Sequence, residues 1–454
     1  MLRVSWKMHV PLRLRMRSVG FLFEEEWMTM DDEEEFVIGK ETRADDDWDD
    51  NENDDWDDED NENWSDDEDE DVMPPPLAPD CVTDAIRGFA HASAPVFLAG
   101  DGNVNYSPTS LWMALTLVAT GATGETRQEL ETALHSKDAT TDDLKDFRGA
   151  LNATGIHRIA DSLWVRDGIT PHQEWLAGIR RCEAEVFDHE LFGQTTSRRM
   201  SDWVGEHTNG MLKPNINVDP LSVLVLLNAL VSDGRWYSTF DRKLTRPEPF
   251  HGTHGDAPTP MMHKTSTTIG YAHGDGWIKV TLSFRGGQGG VSIILPDESV
   301  GLDRLLNNAP LLNKAFDTPA TSSWRRLVDL IMPRFVTGST FDTAALRTCL
   351  NVLGITRAFD PDRADFSAMA DEPLYIGQAI QETRMEVTEE GAKAAAYTMF
   401  AIPAGGPPPE PDTTVTVRVD RPFIYELHAD LPGDNGATPL FLGVLRDPPD
   451  TSEL

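Results

Sequence analysis

Three groupings of residues have types and spacings that could carry chemistry. The glycine runs "GDGNVN" and "RGGQGG" could wrap a phosphate, but they lack the following phosphate-binding helix and the P-loop lysine. His251 and His254 in "FHGTHGD" could ligate a metal, but no second ligand pair stands at a recognisable spacing, so a surface loop is expected there. Cys182 and His189 could be a nucleophile and its base, yet nothing nearby supplies an oxyanion arrangement. The residues therefore predict no catalytic group, no bound metal and no cofactor.

A fourth stretch has a different kind of chemistry. "EVTEEGAKAAAYTMFAIPAGGPPPEPDTT", Glu386 to Thr414, passes from carboxylates to small residues and then to a Gly/Pro tip that looks made to be cut. In an extended chain Ala392, Ala394, Ala396 and Thr398 share one face. All four are small enough to enter a packed core, whereas a bulky or charged group there would stall entry. Lys393, Ala395 and Tyr397 share the other face, and Gly391 permits a bend before them.

Composition bounds what surrounds this stretch. The chain has 454 residues, 39% of them hydrophobic, and a formal charge of -38. Residues 1–72 carry 7 Lys+Arg against 28 Asp+Glu, giving -21, and the other 382 residues give -17. Such a field repels nucleic acid and anionic membranes and favours basic protein partners. Three cysteines are too few for a disulfide framework. No run reaches the length of a membrane span. The opening "MLRVSWKMHVPLRLRMRSVGFLF" lacks the unbroken apolar core of a secretory leader, and the residues leave the compartment undecided. Asn63, Asn105 and Asn152 begin Asn-x-Ser/Thr acceptors, of which Asn105 is expected to be inaccessible.

Residues 24–72 are low-complexity acid punctuated by Trp27, Trp48, Trp56 and Trp64, and are expected to be disordered. They read as a solvating tail or as an arm for a basic partner surface. With the stiff spacer "MPPPLAP" they make an extension over residues 1–78, ahead of one large domain over 79–454. In that domain Ser107 and Pro108 open a buried helix, "LWMALTLVA", and Gly121 closes it. "HRIADSLWVRD" reads as a strand, and "PHQEWLAGIRRCEAEVF" and "RRMSDWVGEHTNG" read as helices. "LSVLVLLNALVSDGRW" reads as a central strand buried on both faces. "WIKVTLSF" and "VSIILPD" flank a glycine turn as a hairpin; "LIMPRFVTGSTFD", "TVTVRVDRPFIYELH" and "TPLFLGVLRD" supply further strands. Helices and long strands mix without a βαβ rhythm, which predicts the α+β class.

In this order the motifs resemble the serpin family over about residues 80–450. "EVTEEGAKAAA" is similar to the family's hinge, "NVNYSPTS" to its strand-to-helix shutter, and "LVLLNALVSDGRWYSTFD" to its central strand. "PTPMMHK", "LIMPRF", "RPFIYELH" and "PLFLGVLRDP" follow in matching order. The resemblance implies three β-sheets, eight or nine helices and an exposed reactive-centre loop. It implies a monomeric serine protease inhibitor acting as a suicide substrate, not an enzyme. The alternative within the family is a non-inhibitory carrier or chaperone. By position it implies a hinge at Glu389, Glu390, Gly391, Ala392, Ala394, Ala395 and Ala396, a breach at Arg334 and Trp236, and a shutter at Ser107, Ser110 and Asn228. The shutter position usually held by His is Gln381 here. Counting from Glu389 places the reactive bond at Gly405–Gly406, with Ala404 just before it. A small residue there suits a serine protease with an elastase-like pocket.

The acidic arm would steer the molecule to a basic protease surface. Deleting residues 1–72 is then expected to slow association and to flatten its dependence on salt in stopped-flow measurements; an unchanged rate would sink the steering idea.

Overall fold

The structure is a computed structural model that describes residues 27–30, 36–39, 76–392 and 411–448. Two compact units are present, residues 1–72 and 73–454. In the first, β1 (Trp27–Met30) pairs antiparallel with β2 (Phe36–Gly39), Trp27 opposite Gly39 and Met30 opposite Phe36. The acidic composition had predicted no regular structure here. The pairing joins two short tracts, "WMTM" and "FVIG", that stand apart from the acid around them.

The second unit begins α1 (Asp80–Phe97), β3 (Val104–Tyr106), α2 (Pro108–Ala119), α3 (Gly124–Leu134), α4 (Thr141–Ala153), β4 (His157–Arg166), α5 (Gln173–Arg181), β5 (Glu185–Glu190) and α6 (Gln194–His207). It continues β6 (Leu224–Ser232), β7 (Gly234–Arg235), β8 (Arg246–Gly252), β9 (Gly255–Ser266), β10 (Gly270–Gly274), β11 (Trp277–Ser283), β12 (Gly289–Pro296), α7 (Leu302–Leu306) and α8 (Ala309–Asp317). It ends β13 (Arg326–Pro333), β14 (Phe335–Phe341), α9 (Thr343–Val352), β15 (Gln381–Val387), β16 (Gly391–Ala392), β17 (Thr413–Arg418), β18 (Phe423–Ala429) and β19 (Thr438–Leu445).

Three sheet layers result. A six-stranded sheet runs β10-β11-β12-β18-β19-β3, and a four-stranded one runs β17-β13-β9-β8. The central layer comes in two hydrogen-bonded groups, β5-β4-β6 and β14-β15-β16-β7. Asp233 alone separates β6 from β7, so the two groups share one continuous strand. Below β16 no strand lies between β6 and β15 among the described residues.

That gap corrects one expectation. β6 is only half-buried from Leu224 to Asn228, because one edge pairs with β4 while the other has no strand beside it. Its apolar run is that of a central strand, but the neighbour that would bury it is missing from that edge. A second correction concerns "PHQEWLAGIRRCEAEVF". The helix stops at Arg181, Glu183 adopts a left-handed φ of 61°, and Glu185–Glu190 becomes a strand parallel to β4. The helical spacing of Trp175, Leu176 and Ile179 ends where "EVF" begins.

The local signals at α2 are realised as read. The Ser107 hydroxyl accepts from the Ser110 N–H at 3.1 Å and Pro108 sits in the first turn. The helix is buried nearly all round, from Leu111 to Ala119. Trp112, Trp236, Trp277, Tyr106 and Tyr425 are fully buried in the main core. A second core lies under α6, whose Met200, Trp203 and Val204 pack on Ala160 and Trp164 of β4 and Ala229 of β6. Each such aromatic removes a large apolar area from water, worth on the order of 2 kcal/mol or more.

Close approach decides one position in the six-stranded sheet. Gly443 lies opposite Tyr425, and a Cβ there would meet the Tyr425 ring at 2.2 Å and the Val104 carbonyl at 2.6 Å. Gly443→Ala is expected to lower unfolding free energy by about 1–3 kcal/mol in urea titration, since neither the buried ring nor the backbone can retreat.

Candidate functional site

β15 climbs the central layer to Val387, and the chain then turns through Thr388, Glu389 and Glu390. It returns as β16, with Ala392 opposite both Val387 of β15 and Gly234 of β7, and Gly391 opposite Arg235. The turn is closed by the Thr388 N–H donating to the Gly391 carbonyl at 3.0 Å. Gly391 is required by contact: a Cβ would lie 2.2 Å from the Gly234 carbonyl oxygen. Ala392 is 2% exposed, so the first small residue of the run is already inside the sheet. Ala394, Ala395 and Ala396 of the expected hinge, and Ala404, Gly405 and Gly406 of the expected reactive bond, lie outside the described residues.

Several groups hold this return. Trp236 donates its backbone N–H to the Glu390 carbonyl at 3.0 Å and its indole N–H to the Thr388 carbonyl at 2.8 Å. Its ring stacks on Phe284 at 5.5 Å. Glu389 is buried; its Oε1 accepts from the Thr245 hydroxyl at 2.8 Å, and its Oε2 lies 3.9 Å from Arg334 Nη1. The expected Glu389–Arg334 pair therefore forms at the outer limit of an ion pair, and Thr245 makes the shorter contact. Arg242 pairs with Glu390 at 2.5 Å on the exposed side.

Below β16 a cavity of about 20 Å³ is lined by Leu230 and Val231 of β6, Arg384 and Met385 of β15, and Ala392 above. It is far too small for a strand. A strand enters only if β6 and β15 separate.

The N-terminus of α2 bridges those two strands. On the β15 side the Gln381 amide both accepts from the Ser107 N–H at 3.3 Å and donates to the Ser107 carbonyl at 2.9 Å. On the β6 side the Ser110 hydroxyl donates to the Asn228 carbonyl oxygen, and the Asn228 amide donates to Asp161 at 2.7 Å. The Ser107 hydroxyl donates to the Leu440 carbonyl at 2.6 Å, which ties the same turn to the sheet behind. The structure thus brings Ser107, Ser110, Asn228 and Gln381 into one cluster. Sequence reasoning missed Asp161, fully buried, its carboxyl pushed up by burial and restrained by Asn228 and by Arg148 at 3.7 Å. An acid in the apolar strand "RIADSLW" was the available signal.

The other candidates have separate partners. His251 sits at the end of β8 rather than in a loop, 2.9 Å from Asp256, and His254 in the adjoining turn is 2.8 Å from Asp447. The Cys182 thiol is buried, donates to the Thr141 carbonyl and is pushed up to about 12 by burial, while His189 pairs with Asp167. A thiol so disposed is no nucleophile near neutrality. Among the described residues no three His, Cys, Asp or Glu side chains converge to hold a metal, and no helix is long and apolar enough to cross a membrane.

Among the described residues the central layer is thus unpaired between β6 and β15, with β16 returning at its head. The family model described as Serpin (serine protease inhibitor) matches residues 88–448, and the chain belongs to the serpin family. It is 29% identical to plasminogen activator inhibitor 1 of Sus scrofa over 373 residues, 77% of this chain and 87% of that relative. The native structure of tengpin, a thermophilic serpin, superposes with a TM-score of 0.68 at 25% identity, covering 83% of this chain and 96% of tengpin. Human thyroxine-binding globulin, solved in complex with thyroxine, shares the fold with a TM-score of 0.65 at 20% identity, over 81% of this chain and 99% of that one. The fold therefore serves proteins named as inhibitors and one named for a small ligand.

Behind Trp236 and Phe284 stands a buried imidazole. His157 lies 6.2 Å from the Phe284 ring and donates from Nε2 to the Gln288 carbonyl at 3.0 Å, leaving Nδ1 without a partner. Burial pulls it down to about 4, and His428 beside it down to about 3. Both lie below the unfolded value near 6.5, so between those limits only the unfolded chain takes up the proton. Stability is then complete above about pH 6.5 and falls as pH drops through the folded values, by on the order of 3 kcal/mol for His157 alone. Urea midpoints measured from pH 7.5 to 4.5 should fall for the wild type and fall less for His157→Gln, which keeps a donor for Gln288; equal slopes would refute the assignment.

Proposed function

We propose that this chain is a suicide-substrate inhibitor of a serine protease with a pocket for small residues. The observation that carries the reading is β16. Gly391 and Ala392 already occupy the slot between β7 and β15, and the slot continues downward with no strand in it among the described residues. Each further residue of the run can extend β16 one step, and sequence parity puts Ala394 and Ala396 on the same face as the buried Ala392.

The chemistry belongs to the protease. Its serine hydroxyl attacks the carbonyl of the loop bond, the new ester holds the loop's N-terminal part, and the leaving amine takes the proton and becomes the new N-terminus of the segment from Gly406 onward, whose β17, β18 and β19 stay paired in their sheets until the chain is denatured. The freed N-terminal part then inserts, and insertion of a serpin loop is itself a recognised instance of strand addition. At about 1 kcal/mol net per ladder bond, a strand of roughly ten residues gains on the order of 10 kcal/mol before packing. In this reading Glu389, Arg334 and Trp236 form the breach, and Ser107, Ser110, Asn228 and Gln381 the shutter. The acidic arm supplies a basic partner surface with a counter-charge. The second reading, a carrier that traps no protease, draws on Gly405, Gly406 and the following prolines, which give a target pocket little to grip.

Incubation with an elastase, followed by a denaturing gel and sequencing of the released peptide, tests the proposal. A covalent band of summed mass with a peptide starting at Gly406 or a neighbour is expected. Ala392→Arg should still be cleaved but form at least about tenfold less complex, because a guanidinium cannot hold the buried place between β7 and β15 from which the strand would extend. Clean cleavage of the wild type without complex would favour the carrier reading for this protease.

A further inference from the structure

Lys264 stands on the buried face of β9, two residues on from Met262. Its ammonium pairs with no carboxylate among the described residues. It donates instead to three neutral oxygens of one exposed loop: the Ser238 carbonyl, the Ser238 hydroxyl at 2.8 Å and the Thr239 carbonyl at 2.9 Å. Three acceptors are what the three N–H groups of an ammonium can fill. The charge also lies 5.3 Å from the centre of the Phe240 ring. Burial pulls the group down to about 8, so at neutral pH it still carries its third proton.

The loop it gathers is the one that holds the hinge. Residues 237–239 are exposed and lie in neither helix nor strand. On one side of them the Trp236 N–H donates to the Glu390 carbonyl at 3.0 Å, and on the other the Phe240 N–H donates to the Glu389 carbonyl at 2.8 Å. Two amides four residues apart therefore grip two successive carbonyls of the turn that leads into β16. Their spacing is set by the path of the residues between them. The Tyr237 N–H fixes that path to the Ser283 carbonyl at 2.8 Å, and Lys264 fixes it from the β9 side. An exposed loop with no ladder of its own depends on such fixings.

We propose that Lys264 is a positioning residue for the hinge. By drawing the Ser238 and Thr239 carbonyls inward, it keeps the Trp236 and Phe240 amides at the spacing that receives Glu390 and Glu389, and so fixes where β16 starts between β7 and β15. A buried ammonium without a counter-charge is costly to keep. A methionine of similar length would fill the space without that cost, but it would leave three oxygens without their donor and the loop free to shift. For an inhibitor, Lys264 then helps decide how many loops enter in register before water hydrolyses the acyl-enzyme, a consequence that rests on the reading proposed above.

The test compares full-length wild type with Lys264→Met, which removes the donors, and Lys264→Gln, which keeps two of them. Hydrogen exchange read by mass spectrometry needs no protease. Peptides covering 236–240 and 388–392 should exchange at least about fivefold faster in the Met variant and by a smaller factor in the Gln variant, with the β11–β12 hairpin unchanged. Titration against elastase gives the second readout. The number of inhibitor molecules consumed per elastase trapped should rise at least about twofold for Met and less for Gln. Wild-type exchange at the hinge, or an equal acceleration of hinge and hairpin, would overturn the positioning role and leave Lys264 a support of the core. Faster hinge exchange with an unchanged elastase titre would overturn its part in strand entry. A wild type that traps no elastase, beside the expected exchange pattern, would overturn the inhibitor reading for this protease while upholding the hold of Lys264 on the hinge.

Discussion

The fold turns on one edge of one strand. β6 pairs with β4 along its whole length, from His157 opposite Ser232 to Val165 opposite Leu224, and among the described residues its other edge has no strand paired to it until its continuation, β7, pairs with β16. Backbone amides and carbonyls along an interior edge are the groups a sheet most needs to satisfy. Here they face a narrow cavity above and half-open surroundings below. Whatever keeps β6 and β15 at their present spacing keeps the molecule in its present state. What would satisfy the edge is a strand, and β16 shows where one starts.

Two fastenings set that spacing. At the head, Glu389, Glu390 and Thr388 are gripped by Thr245, Arg242 and Trp236, so the turn into β16 is fixed from three sides. Lower down, the first turn of α2 touches both strands at once, Gln381 of β15 through Ser107 and Asn228 of β6 through Ser110. These are neutral hydrogen bonds of about 1 kcal/mol each. They can be exchanged one at a time, which a buried ion pair could not do without exposing a charge in the core. Gln381 carries no titratable group, so its bonds to Ser107 do not titrate. The acid-sensitive group near the hinge is His157, which reaches it through the Phe284 and Trp236 rings and through its cross-strand partner Ser232 in β6.

The sequence made some of this legible and not the rest, for physical reasons. Ser107, Pro108 and the apolar run after them announce α2, because capping and periodicity are local. The glycine-rich hairpin and the alternating small residues of the hinge are local for the same reason. The gap is not local. Leu224–Ser232 has the composition of a fully buried strand, and only its pairing with β4, distant in sequence, and its lack of pairing with β15 reveal an open edge. Side-chain pattern records which faces are apolar and says nothing of which edges are bonded. Asp161 was overlooked because a lone acid in an apolar strand has no partner visible in sequence, and Thr245 because a threonine in a connecting turn carries no signal until Glu389 folds against it. Glu185–Glu190 was absorbed into the helix before it, since "EAEVF" is short and its helical break depends on one left-handed residue, Glu183.

The edge of β6 that faces β15 carries backbone amides and carbonyls with no strand bonded to them among the described residues. A fold that held its free energy in distorted covalent geometry would release it on any local relaxation. Unmade hydrogen bonds release theirs only when a suitable partner arrives, and in the proposed reading the partner at the edge of β6 is a strand of small residues in the register set by Ala392. That condition ties the energy to one event. In that reading Ala392, Ala394, Ala396 and Thr398 keep one parity small while Lys393 and Tyr397 fall on the other, up to Phe400, the first large residue on the small parity. The constraint on the loop is the shape of the slot, and the slot is shaped by bonds that the rest of the structure declines to make.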